Sequence, residues 1–205
     1  MRFILALVLL PAWTGAVAAE PMILGETPLG SERCKVTATA KTDVSGEPLK
    51  KSEWHASEWR CGGYQGRFVY LAYDDEREGL AFGSAKSALT EYMWPEGFGA
   101  WGPSIEWRGP EGAGKQMPLA AIARYSWNIR SGASGNEAPN VGAALAVIHV
   151  GAGPTDTCIV AWVDIAANPD AVELARKRAD QALAQNPCTE GGKPERLGKL
   201  SGAKR

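Results

Sequence analysis

Long apolar runs are scarce in this chain of 205 residues. A helix that crosses a bilayer needs about 20 consecutive apolar residues, and the two longest apolar stretches, Phe3 to Leu10 and Val141 to Val150, are far shorter. The first follows Arg2 and precedes a proline and several small residues, which is the pattern of a secretory signal peptide. We therefore predict a signal peptide over residues 1–19, a periplasmic or secreted protein, and no membrane span after cleavage.

An excess of charge of one sign is also missing. The chain has 22 lysine and arginine residues against 23 aspartate and glutamate residues, so it lacks the basic footprint of a nucleic-acid-binding protein. Basic residues are concentrated only in residues 189–205, where glycine, proline and serine interrupt any apolar pattern. This composition predicts a disordered basic tail. It leaves residues 20–188 as a single globular domain of ordinary size.

Cysteine is limited to four residues, and no two of them have the C-x2-C spacing of a structural zinc site. They are Cys34, Cys61, Cys158 and Cys188. An even number in an exported chain favours disulfides over thiols or metal ligands, and spacing alone leaves three pairings open. A strand over Thr157–Asp164 and a helix over Pro169–Gln185 would have similar lengths. The helix would then return Cys188 to Cys158, so we predict this pair and, with it, Cys34 with Cys61.

Strand patterns dominate the rest of the chain. Apolar and polar residues alternate along Leu119–Arg130, and other short runs are rich in β-branched and aromatic residues between polar turns. The predicted strands are residues 34–42, 56–61, 67–73, 119–130, 141–150 and 157–165. The segment Tyr92–Trp107, broken by glycine and proline, is predicted to be a loop until its last residues. We predict an α+β fold: a mainly antiparallel β-sheet of about six strands, stabilised by disulfides, with one C-terminal amphipathic helix packed on it.

The charged stretch from Asp164 to Asp180 is predicted to be the start of that helix and its solvent-exposed flank. Asn168 can cap the helix by accepting a backbone N–H group, and Pro169 suits the first helical position. The face that packs on the sheet is predicted to be Val172, Ala175, Ala179, Ala182 and Leu183. Glu173 with Lys177 and Arg176 with Asp180 have the i,i+4 spacing of exposed ion pairs.

Residues that could form a catalytic site are few. Histidine occurs only twice, and His149 is the one in a predicted strand, beside the strand that ends at Asp164. Such a pair could act as the base and its orienting acid in a hydrolase, but no serine stands in a G-x-S-x-G nucleophile elbow. We keep His149 and Asp164 as weak catalytic candidates and predict no metal or cofactor. The carboxylates of Asp74–Glu78 are assigned to a solvent-exposed turn.

Tryptophan is abundant, and seven of the eight tryptophans lie beyond the predicted signal peptide. Trp94 and Trp101 share a glycine- and proline-rich loop with Phe98. Rigid aromatic faces on a loop can stack on a sugar ring or receive the side chain of a partner. We therefore take Trp94, Phe98 and Trp101 as the candidate ligand-binding residues. The alternative is that the loop folds over a sheet edge and these rings complete the core.

The segment CIVAWVDIAANPDAVELARKRAD, the following Cys188 and the short EWRC segment at Glu58–Cys61 resemble small uncharacterised exported proteins of proteobacteria. The resemblance implies export and one folded unit, and it carries no catalytic residue. Two classes of function are then open. The favoured one is a soluble, non-enzymatic envelope protein that binds a glycan, a peptide or a partner protein. The alternative is a hydrolase of envelope material that uses His149 and Asp164.

Overall fold

A computed structural model describes residues 20–43, 45–74, 77–95, 97–114, 118–129, 140–185, 187–188 and 192–198. The predicted signal peptide and most of the predicted tail lie outside the described residues. The described residues form one α-helix and ten strands, which belong to a single mixed sheet. The α+β class and the helix packed on the sheet are therefore confirmed, and the prediction of about six strands was an undercount.

The strands are β1 (Pro21–Pro28), β2 (Lys35–Ala40), β3 (His55–Tyr64), β4 (Arg67–Asp74), β5 (Arg77–Gly83), β6 (Gly99–Pro110), β7 (Leu119–Ile129), β8 (Asn140–Val150), β9 (Thr157–Asp164) and β10 (Glu195–Leu197). The α-helix, α1, spans Ala171–Leu183, and one-turn 3-10 helices occupy Lys51–Glu53 and Pro154–Asp156. Within the described part of the chain, no helix has the length and apolar character needed to cross a membrane.

The sheet has the strand order β10-β9-β8-β7-β6-β5-β4-β3-β2, and β1 pairs with β6 beside this path. β10 runs parallel to β9, and β5 runs parallel to β6 at their single paired position. The other neighbours are antiparallel. Residues 195–197 lie inside the tail that was predicted to be disordered, so that prediction is wrong for this segment, where backbone pairing with β9 supplies the order.

Strand alternation gives the sheet two apolar faces. The larger cluster, here called the inner face, joins side chains of β3 to β8, among them Leu80, Trp107 and Ile148. The second cluster, here called the helix face, joins alternate residues of β7, β8 and β9, such as Val147, to the alanines of α1. Because neighbouring residues of a strand project to opposite sides, β7 and β8 are buried on both faces.

Two strands, β5 and β1, pair with different parts of the same edge of β6. It pairs with β5 only at Gly99, opposite Arg77, whereas its second half, Ser104–Pro110, pairs with β1. β1 also contacts β3, and Trp107 Nε1 donates a hydrogen bond of 2.8 Å to Thr27 Oγ1. The sheet therefore curls, and the inner face is enclosed between its β3–β5 part and its β6–β8 part.

Both predicted disulfides are present. Cys34, in the turn after β1, is bonded to Cys61 of β3. Cys158 of β9 is bonded to Cys188, which follows α1. The second bond ties the end of the helix to the strand that precedes it, as the similar lengths of the two elements predicted.

The helix packs largely as predicted but begins differently. Its buried residues are Ala171, Ala175, Ala179 and Ala182. Val172, which was predicted to pack on the sheet, is 50% exposed. The residue before the helix is Asp170, and its side chain makes no capping hydrogen bond. Asn168 Nδ2 instead donates to the backbone oxygens of Asp164, at 2.8 Å, and Leu197, at 3.1 Å. The predicted Asn168 cap is therefore wrong, because this amide joins the turn before α1 to β10.

Two charges of the helix pair with β6 rather than with each other. Arg108 donates from Nε and Nη2 to the carboxylate oxygens of Asp180, both at 2.8 Å. Arg176 Nη2 donates to Glu106 Oε2, also at 2.8 Å. The predicted pair of Arg176 with Asp180 is therefore wrong. Glu106 and Arg108 are two residues apart on β6 and so share the face that α1 covers, where each meets an opposite charge.

Candidate functional site

A cleft with a volume of about 490 Å³ opens at one end of the inner face. It lies between the β4–β5 hairpin and the first half of β6, and its lining includes Leu29, Trp59, Leu71, Tyr73, Glu78 and Trp101. Small-ligand sites are typically concave, mostly apolar and supplied with a few placed polar groups. The cleft has this composition, so we take it as the candidate functional site.

Strand pairing places the side chains of the cleft together. Tyr73 of β4 is directly opposite Glu78 of β5, and Leu71 is directly opposite Leu80. On the other side of β4, Trp59 of β3 is opposite Leu71. Directly opposed residues project from the same side of a sheet, so all of these side chains point to the inner face. Tyr73 is 52% exposed and Leu71 only 7%, and the cleft therefore runs from a wet rim to an apolar floor.

Glu78 is the only acidic or basic side chain among the described residues that line the cleft. Its Oε2 accepts a hydrogen bond of 2.8 Å from the backbone N–H of Trp101, and the indole N–H of Trp101 donates to the backbone oxygen of Glu78 at 3.0 Å. Burial raises the pKa of Glu78, and the N–H group of Trp101 opposes that shift because it favours the charged form. The first hydrogen bond fixes the carboxylate of Glu78 relative to β6, and the second fixes its backbone.

Trp101 connects the cleft to an aromatic cluster within the inner face. Its ring is stacked with Trp162 of β9 at a centroid distance of 6.2 Å, and it meets the ring of Tyr125 of β7 edge-on at 5.0 Å. Burial first, and then the negative charge of Glu78, raise the pKa of Tyr125 to about 12. The Tyr125 hydroxyl therefore stays neutral and donates to the backbone oxygen of Gly97 at 3.2 Å. Because Tyr125 and Trp162 pack against the ring of Trp101, the position of this wall of the cleft is fixed.

The three predicted ligand-binding aromatics are not brought into one site. Trp101 lines the cleft on the inner face. Trp94 lies against Gly79 of β5, where an added Cβ atom would come within 2.8 Å of its ring. Gly79 follows Glu78 directly, so the ring of Trp94 covers the opposite, outer face of β5. Phe98 is 47% exposed and is not among the residues that line the cleft.

His149 and Asp164 are not neighbours. In the ladder between β8 and β9, His149 is opposite Cys158 and Asp164 is opposite Ala144. The two positions are about five strand residues, or roughly 17 Å, apart. They also project from opposite faces, since Ala144 belongs to the inner face whereas His149 points toward α1. The structure therefore does not assemble the base and orienting acid that a hydrolase would need.

Each of these two residues has a structural contact of its own. His149 is 3% exposed, and its Nδ1 lies 3.1 Å from the backbone oxygen of Ala182 in α1, a contact that requires the proton on Nδ1. Burial lowers the pKa of His149, so the neutral ring is favoured. Asp164 is 1% exposed and accepts the backbone N–H of Ala167 at 2.9 Å. Asp164 thereby stabilises the turn that leads into α1.

Trp59, Tyr73 and Glu78 were not among the site residues predicted from the sequence. Glu78 was assigned to a solvent-exposed turn because it ends a run of charged residues, and this assignment is wrong because Glu78 belongs to β5. The useful signal was the alternation of Glu78, Leu80 and Phe82, which places the carboxylate in line with two buried apolar side chains. An acid at an inward position of an apolar strand is rare unless it has a partner or a use.

Comparison of the chain with models of protein families, with curated proteins and with solved structures found no match. The residues of the cleft therefore carry the functional assignment. Across the described ranges, no group of three or more histidine, cysteine, aspartate or glutamate side chains could hold a metal ion. What the cleft offers is aromatic surface beside one fixed carboxylate, which suits the binding of a ligand group.

Proposed function

We propose that this protein is an exported envelope protein that binds a ligand in the cleft and does not transform it. Export is supported by the signal-peptide pattern of residues 1–19 and by the resemblance to small exported proteins of proteobacteria. The two disulfides also support it, because such bonds form and persist outside the reducing cytoplasm.

The composition of the cleft is the observation that carries the proposal. Trp59, Tyr73 and Trp101 supply large rigid surfaces, and Glu78 supplies one oriented charge. A volume of about 490 Å³ fits a single group of a larger ligand, such as a sugar residue or an amino-acid side chain. The cleft therefore favours the end of a glycan or a peptide over the flat surface of a folded partner protein.

Hydrolysis has little support from the same residues. Glycoside hydrolysis normally needs two carboxyl groups about 5–9 Å apart, and Glu78 is the only carboxylate among the described lining residues. Ser31 also lines the cleft, but no histidine stands with it among those residues. A serine without a neighbouring base is a poor nucleophile, so binding without turnover is the better reading of the site.

Intrinsic tryptophan fluorescence tests this proposal. The mature protein is titrated with peptidoglycan fragments, oligosaccharides and short peptides while emission and product release are followed together. We expect a saturable change in emission without product. In Tyr73→Ala, affinity should fall about two- to tenfold, because one aromatic contact contributes about 0.5–1.5 kcal/mol beyond its area.

Trp54→Ala is the matched control for the aromatic substitution. Trp54 is 40% exposed and lies before β3, outside the lining of the cleft. We expect this variant to bind like the unmodified protein after correction for the lost fluorophore. Equal losses of affinity in Tyr73→Ala and Trp54→Ala, no binding of any ligand tested, or release of product would each contradict the proposal.

A further inference from the structure

Among the described residues that line the cleft, Glu78 carries the one charge, and that charge is negative. No lysine or arginine is found among the described residues that line it, and no ion pair of the described residues includes Glu78. Arg77 precedes Glu78 in the chain, but its guanidinium lies over the ring of Trp94 at 5.9 Å and 3.8 Å from Asp74. The guanidinium of Arg77 therefore contacts groups on the other face of β5. A positively charged ligand would supply the opposite charge for Glu78.

Three aromatic side chains line the cleft together with this carboxylate. Trp59, Tyr73 and Trp101 all line the cleft, and Tyr73 is directly opposite Glu78 in the β4–β5 ladder. The face of a tryptophan or tyrosine ring attracts a cation, and the attraction grows when the cation is removed from water. A single positively charged group can therefore contact the carboxylate of Glu78 and the ring of Tyr73 together.

A neutral sugar would find few hydrogen-bonding partners in this cleft. Besides Glu78 and the tyrosine hydroxyl, Ser31 is the only side chain of the described lining that carries an oxygen. The indole N–H of Trp101 already donates to the backbone of Glu78. Each sugar hydroxyl that loses water without gaining a partner costs free energy. An alkylated ammonium has almost no such requirement, and its charge and methyl groups suit a carboxylate beside aromatic rings.

We infer that the group bound in the cleft is an alkylated ammonium, with Glu78 as its counter-ion and Trp59, Tyr73 and Trp101 as its aromatic walls. This inference rests on the proposed function, because it names the ligand chemistry of the same cleft. The volume of about 490 Å³ accommodates a trimethylammonium group and the short chain that carries it.

A pair of matched probes separates the effect of charge from that of shape. Choline carries a trimethylammonium group, and 3,3-dimethylbutan-1-ol has the same shape with carbon in place of the charged nitrogen. Both are titrated into the mature protein by calorimetry and by tryptophan fluorescence. We expect choline to bind at least about tenfold more tightly, since a desolvated cation gains both ring and carboxylate attraction. Equal affinities for the two probes would overturn the inference.

Glu78→Gln tests the counter-ion. The amide oxygen can still accept the backbone N–H of Trp101, so only the charge is removed. We expect the affinity for choline to fall about tenfold or more and the affinity for the neutral analogue to stay the same. Glu91→Gln is the control, because Glu91 is an exposed carboxylate in the connection between β5 and β6. An unchanged affinity for choline in Glu78→Gln would overturn the inference.

Tyr73→Leu keeps the test decisive if a thermal melt shows that Glu78→Gln does not fold. Leucine retains apolar surface at this half-exposed position but lacks an aromatic face. We expect about a fivefold loss of affinity for choline and little change for the neutral analogue. Losses of the same size for both probes would show that the ring contributes only apolar area, and would also overturn the inference.

Failure of the inference can be distinguished from failure of the proposed function. If choline does not bind but a glycan or peptide fragment binds and is weakened by Tyr73→Ala, the inference fails and the binding function stands. If no probe and no fragment binds, both fail.

If choline does bind, vesicles of phosphatidylcholine and of phosphatidylglycerol identify the source of the cation. Glu78-dependent sedimentation with the first alone points to a lipid head group, and binding of free choline without sedimentation points to a dissolved molecule; each supports the ammonium chemistry.

Discussion

Replacement of Asp180 by alanine should destabilise the protein by about 2–3 kcal/mol. The side chain of Arg108 is 8% exposed, and it donates two hydrogen bonds of 2.8 Å to the Asp180 carboxylate. Removing the partner of a buried charge costs about 3–5 kcal/mol, because the remaining charge stays desolvated. Glu106 still lies 3.6 Å from Arg108, and Asp180 is itself 32% exposed. These two facts reduce the expected loss to the value given.

Urea unfolding with the disulfides intact measures this loss, and the melting temperature should fall by about 5–10 °C. Glu173→Ala is the matched control, because it also removes a carboxylate of α1 that is paired with an arginine, Arg176, at 3.0 Å. Glu173 is 73% exposed, so its removal should cost no more than about 0.5 kcal/mol. A loss below about 1 kcal/mol for Asp180→Ala, or equal losses for the two variants, would refute the reasoning from burial.

Three further predictions concern a disulfide, a glycine and the cleft carboxylate. Cys188→Ser opens a disulfide that spans 30 residues and should lower the stability by about 3–4 kcal/mol; an unchanged thermal melt would contradict this. Gly63→Ala would place a Cβ atom 1.7 Å from the backbone oxygen of Arg67 and should lower the stability by more than about 2 kcal/mol in urea unfolding. In the control, Gly114→Ala, the added Cβ atom meets no atom within 4 Å, so the stability should not change. Similar urea midpoints for the two variants would count against the close packing at Gly63. Burial raises the pKa of Glu78 above 4.5, so the folded state binds the carboxyl proton more tightly than the unfolded state does. Protonated Glu78 therefore makes its full contribution to the free energy of unfolding at low pH, and this contribution is lost as the pH rises through the raised pKa. The stability of Glu78→Gln relative to the unmodified protein should therefore rise as the pH increases above about 4.5, and parallel curves of urea midpoint against pH would refute this.

The sequence predicted those parts of the fold that depend on local patterns. The strand predicted over Leu119–Arg130 is β7, and the strand predicted over Val141–Val150 is β8, each within one residue at its ends. The helix was found because small apolar residues recur on one face, and the disulfide of Cys158 with Cys188 followed from the lengths of the elements between them. In each case the information lies within a short stretch of chain.

β6 was predicted mainly as a loop because its partners cannot be read from its own residues. Gly102 and Pro103 interrupt the pattern, and the pairing with β7 shifts register between Trp101 and Ile105. An irregularity of this kind lets a proline lie inside a strand. The carbonyl of Pro103 accepts the backbone N–H of Leu29 at 2.7 Å instead of joining a regular ladder. That contact comes from a residue more than seventy positions earlier, which local periodicity does not register.

The cleft was missed for the same reason, since strands that are distant in sequence build it. Trp101 was selected as an aromatic residue of an irregular segment, but its actual neighbours, Trp59 and Glu78, come from β3 and β5. Charged residues were also assigned by their immediate surroundings. Arg176 and Asp180 were predicted to pair along the helix, whereas β6 supplies oppositely charged partners that are more fully buried.

The short strand β10 also matters for how separate molecules of this protein meet. Without it, β9 would end the sheet and present unpaired N–H and C=O groups along an apolar sequence. β10 pairs with Ala161–Val163, and Asn168 holds the carbonyl of Leu197 beside it. Open strand edges recruit other chains and start aggregation. The residues after the helix thus cover the backbone edge of β9. The edge strand at the other end of the sheet, β2, is exposed and begins with Lys35, whose charge opposes edge-to-edge pairing with another molecule.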